Sequence, residues 1–81
     1  MQIINLRPAP PGAGNTIARF DAQLDGLRLY NLALKRTAAG YRVFAPSAFG
    51  AATVTFTPET ASALISAALG EIANNEHRSA A

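Results

Sequence analysis

Few side chains in this sequence can do chemistry, and most of those that can are cations. Cysteine is absent and His77 is the one histidine, which removes a thiol nucleophile, a thiolate zinc site and a histidine-based triad or metal cage. The five carboxylates, Asp21, Asp25, Glu59, Glu71 and Glu76, show no spacing that would bring two of them to one reacting bond. The sequence therefore predicts no enzyme, no metal, no cofactor and no small-molecule substrate. Six of the seven bases, Arg7, Arg19, Arg28, Lys35, Arg36 and Arg42, fall in residues 1–45, beside only Asp21 and Asp25. Residues 46–81 hold Arg78 against three glutamates, so the two parts carry +4 and −2. Such a basic half suits a polyanion without demanding one. Lys35, Arg36 and Arg42, with Arg28, are the candidate phosphate contacts. The alternative is a solvated turn whose charges discourage edge pairing. Arg19, Asp21 and Arg28 are expected to neutralise one another.

Positioning these cations is the work of strands. Ile3, Ile4 and Leu6 mark a first strand, stopped by Pro8, Pro10 and Pro11. Gly12-Ala13-Gly14 lacks a following Lys-Ser/Thr and opens no helix, so it is not a phosphate loop. Two alternating runs, 16–24 and 27–34, flank Asp25-Gly26, a strong signal for a type I′ hairpin. Unbroken register would set Leu24, Ala22, Phe20 and Ala18 against Leu27, Leu29, Asn31 and Ala33 on one face. The other face would then carry Ile17 opposite Leu34, Arg19 opposite Leu32 and Asp21 opposite Tyr30. A fourth strand is expected over 41–45 and a short fifth over 53–56. Thr57, Pro58 and Glu59 read as a helix start. Ala61, Leu64, Ile65, Ala68, Leu69 and Ile72 then form one apolar stripe.

The expected fold is α+β: a small antiparallel sheet of four or five strands with one C-terminal helix on one face. One domain covers 1–74, the helix fades near Asn74-Asn75, and 75–81 is a flexible polar tail. One helix covers one face only, so Ile17, Tyr30, Leu32, Leu34 and Phe44 are expected to lie uncovered and to form a homodimer interface. The alternative role for Tyr30 and Phe44 is to stack bases there; the dimer core is the favoured reading. No apolar run spans a bilayer, and MQIINLRPAPPG lacks a charged region ahead of an apolar one. A cytoplasmic protein that neither enters nor crosses the membrane is expected.

Four stretches resemble one family. Ile4-Asn5-Leu6-Arg7, Ala18-Arg19-Phe20-Asp21-Ala22-Gln23-Leu24-Asp25, Leu27-Arg28-Leu29-Tyr30-Asn31-Leu32 and Val43-Phe44-Ala45-Pro46-Ser47 are similar to the SpoVG (stage V sporulation protein G) septation regulators. The likeness spans roughly residues 3–72. It implies a small bacterial dimer with a β-rich body and a C-terminal helix, linked to septation or gene regulation and binding DNA or RNA. The family pattern has a Lys-Arg pair directly after the Pro-Ser, whereas Ala48-Phe49-Gly50 follow here. No binding residue transfers to those positions. The alternative is a dimeric protein–protein interaction module without nucleic-acid binding.

Overall fold

The computed structural model describes residues 1–80, with side chains over 1–74. Strands β1 (Gln2–Pro8), β2 (Thr16–Leu24), β3 (Leu27–Thr37) and β4 (Gly40–Phe44) form an antiparallel meander in that order. A separate two-stranded ribbon, β5 (Ser47–Ala48) and β6 (Ala51–Ala52), precedes the helix α1 (Pro58–Ala80). The fold is thus α+β, one helix against one face of a four-stranded sheet. The fifth strand expected over 53–56 is replaced by the β5–β6 ribbon. Helix α1 runs past Asn74-Asn75, whereas the flexibility expected of 75–81 lies outside the described side chains.

The helix begins where the sequence places it. Thr57 caps it, its Oγ1 accepting the Thr60 N–H at 3.3 Å, and the Thr57 carbonyl accepts the Ala61 N–H at 2.9 Å. Leu64 and Ala68 reach the sheet fully buried and join Phe20, Ala22, Leu32 and Leu34 in one core. Burial of each large side chain there contributes about 1.5–3 kcal/mol. Ile3, Leu6, Leu24, Leu29, Val43 and Phe56 help to surround it.

The hairpin at Asp25-Gly26 pairs Leu24 with Leu27, Gln23 with Arg28 and Ala22 with Leu29, as expected. Only Gly26 takes positive φ, at 78°, which is the φ pattern of a type II turn rather than type I′. Beyond Ala22 the expected register fails. Phe20 pairs with Leu32, Arg19 with Ala33 and Ala18 with Leu34. One extra β3 residue has been inserted opposite Asp21, and Asn31 stands in the left-handed region at φ 58°. A bulge reverses which face each later residue occupies. Leu32 and Leu34 therefore lie in the core, at 1% and 0% exposure, and not on an uncovered face.

Candidate functional site

The face of the sheet away from α1 is built by the residues alternating with the core. On β2 these are Ile17, Arg19, Asp21 and Gln23. Arg7 of β1 is the partner of Arg19, so two guanidinium side chains stand directly opposite on one face. On β3, past the bulge, Ala33 and Lys35 turn to this outer face, and their β4 partners are Phe44 and Arg42. Lys35 opposite Arg42 is a second cross-strand pair of like charges. Such pairs destabilise a sheet, and this face carries two in adjacent rows. Arg28 adds a fifth cation near the hairpin tip, its Nε donating to Gln23 Oε1 at 2.8 Å. Asp21 is the one carboxylate in β1–β4.

Asp21 is spent on structure. Its Oδ1 accepts the Asn31 N–H at 2.9 Å and its Oδ2 accepts from Asn5 Nδ2 at 3.2 Å. Arg7 Nη2 lies 3.8 Å from Oδ1. Arg7 also donates to the Asn5 carbonyl at 2.8 Å and to Asn31 Oδ1 at 3.2 Å. Asn5, like Asn31, has positive φ, at 51°, and sits where the β1–β2 register shifts. Asparagine tolerates this conformation better than most side chains. Asp21 thus ties a bulge on each neighbouring strand to the central one. The Asn31 N–H, then Asn5, holds its carboxyl below the ordinary carboxylate value against the opposing effect of burial, with Arg7 and Arg28 adding smaller contributions. The neighbours cover it closely, leaving it 8% exposed, yet it lies shallow on an otherwise open face.

The sequence-predicted residues separate under this geometry. Lys35 and Arg42 share the outer face, where Lys35 Nζ lies 5.1 Å from the Phe44 ring centroid. Arg36 does not join them. It alternates to the helix side opposite Tyr41, whose ring centroid is 5.8 Å from its guanidinium carbon. Arg28 lies seven residues from Lys35 along β3, roughly 20 Å at the usual strand rise. The expected neutralisation of Arg19, Asp21 and Arg28 is replaced by the Arg7–Asp21 pair. The Arg19 guanidinium makes no hydrogen bond or ion pair among the described residues.

Of the five residues expected at a dimer interface, Leu32 and Leu34 are core, for the reason given by the bulge. Ile17 is half-buried at a second β2–β3 register shift. Tyr30 and Phe44 remain exposed, at 64% and 45%. The outer face is consequently basic and aromatic rather than broadly apolar. Sequence reasoning missed Arg7 and the two asparagines. Asparagine is depleted in strands, so Asn5 and Asn31 inside strand patterns were the available signal. At the β5–β6 tip, Phe49 is fully exposed with φ 53°.

Among the described residues, no group of histidine and carboxylate side chains could hold a metal ion, and no helix is long and apolar enough to cross a membrane. Compared with family models, curated proteins and solved structures, the chain matches none.

Proposed function

We propose that this chain is a SpoVG-like regulatory protein of the bacterial cytoplasm that binds single-stranded DNA or RNA weakly on its outer sheet face. The observation that carries this reading is the pairing of like charges, Arg7 with Arg19 and Lys35 with Arg42, in adjacent rows beside exposed Tyr30 and Phe44. A sheet tolerates such repulsion at low cost when a phosphate backbone lies between the cations. The aromatic rings offer bases a stacking surface that is indifferent to sequence. Phosphate contacts and ring stacking carry no base identity, so a slight sequence preference is expected.

Fluorescence anisotropy with short single-stranded DNA and RNA tests this. Tyr30→Ala removes an exposed ring, and each lost base stack weakens binding by about 1–3 kcal/mol. Unchanged affinity in Tyr30→Ala and Phe44→Ala would remove stacking from the reading.

A second reading has one observation in its favour. Edge strand β4 borders an open groove of about 610 Å³ whose walls include Val43, Val54, Phe56 and Ile65. This is the better place for self-association than the face first expected, since Leu32 and Leu34 are covered within the chain. Sedimentation at micromolar concentration tests it: a monomer there ends the homodimer reading.

A further inference from the structure

A second cavity, of about 410 Å³, opens on the outer face beside Arg7 and Arg19. Its remaining walls are Pro8, Ala9, Pro10, Ala13 and Thr16. We infer that this cavity takes the terminal phosphate monoester of a bound strand. The inference rests on the nucleic-acid reading and narrows it to a strand end.

The two arginines differ in what they already do. Arg7 is fixed by Asn5, Asn31 and Asp21, so its guanidinium is held in place before any ligand arrives. Arg19, its cross-strand partner, is exposed, and its guanidinium makes no hydrogen bond or ion pair among the described residues. The Thr16 hydroxyl likewise has no hydrogen-bond partner among them. One uncommitted fork of donors and one uncommitted hydroxyl therefore line the same cavity, in the field of a second, immobilised guanidinium. Arginine matches phosphate oxygens in bidentate geometry.

The opposite wall decides between a terminal and an internal phosphate. Proline and alanine side chains offer no donors. Their loop is closed on itself and on the sheet, Ala13 N–H donating to the Pro10 carbonyl at 3.2 Å and Ala9 N–H to the Ile17 carbonyl at 2.9 Å. A strand lying across the sheet meets this loop as a stop. Its last phosphate enters the cavity, with the apolar wall strengthening its attraction to the arginines by lowering the local dielectric. A monoester carries about −1.5 to −2 charges and three free oxygens at pH 7, against one charge and two free oxygens for an internal diester. The end phosphate thus has both the charge and the acceptors that Arg7, Arg19 and Thr16 leave unmet.

The experiment compares one short single strand as its 5′-phosphate, 3′-phosphate and unphosphorylated forms, with inorganic phosphate as competitor. One phosphorylated end should bind about tenfold or more tightly than the unphosphorylated strand, the gain expected for added charge-assisted hydrogen bonds. Which end gains identifies the strand's direction. Arg19→Gln should bring the ratio of phosphorylated to unphosphorylated affinity to about one, whatever it costs the unphosphorylated strand, and Arg19→Lys should restore part of that ratio. Equal binding of all three forms, with binding intact, overturns the terminal site and leaves the nucleic-acid reading standing. Absence of binding by every form overturns both. A phosphate gain that survives Arg19→Gln overturns the assignment to this cavity.

Discussion

At the scale of single residues, Asp21 makes stability depend on pH. It has two covering asparagines and a nearby arginine. Its folded-state pKa lies below the unfolded value of about 3.9. The folded state therefore holds fewer protons near that pH. The stabilisation is complete above it and is lost as pH falls through the lower, folded value. Urea titrations from pH 7 to pH 2 should show wild-type stability falling on this acid limb. Asp21→Asn, less stable at pH 7, should lose less on acidification. Parallel pH curves would contradict the role assigned to the carboxylate. Asn31 gives a second test. Asn31→Val forces a β-branched side chain into a left-handed position and should cost about 1–2 kcal/mol from backbone strain alone. Asn31→Gly removes that strain and should be the milder change in the same measurement.

At the scale of elements, the strands and the helix were legible because their signals are local. Asp25-Gly26 between alternating runs placed the hairpin, and Thr57 with the 61–72 stripe placed the start of α1. What local pattern could not supply was the register beyond Ala22. A bulge depends on the fit of β3 to both neighbours, and one extra residue moved Leu32 and Leu34 from a supposed interface into the core. Lys35 and Arg36 were grouped for a different reason: the alternating run was taken to end at Leu34, whereas β3 continues to Thr37 and sets these neighbours on opposite faces. Leu32→Ala distinguishes the two placements. As a core residue it should lose about 2–5 kcal/mol, by the same amount at any protein concentration. An interface residue would instead make the loss depend on concentration. Gly26, at φ 78°, gives a local check on the turn: Gly26→Ala should cost about 1 kcal/mol in the same denaturation assay.

At the scale of the molecule, the α+β class followed from counting faces: four strands present two and one helix covers one. The nature of the uncovered face was not legible, because it depends on the bulge and on how Arg7 meets Arg19. With both in place, the face carries five cations and two exposed aromatic rings around a single carboxylate already engaged. Its charge should show directly in the salt dependence of binding. Each phosphate neutralised on a single strand contributes about −0.7 to the slope of log K against log salt concentration.

The most direct measurement is that slope for a short single strand, in wild type, Lys35→Ala/Arg42→Ala and Arg36→Ala. If Lys35 and Arg42 each meet one phosphate, the double variant should flatten the slope by about 1.4. Arg36→Ala, altered on the helix side, should leave it unchanged. A slope flattened by Arg36→Ala but not by the double variant, or no binding at any low salt concentration, would contradict a polyanion site on the outer face.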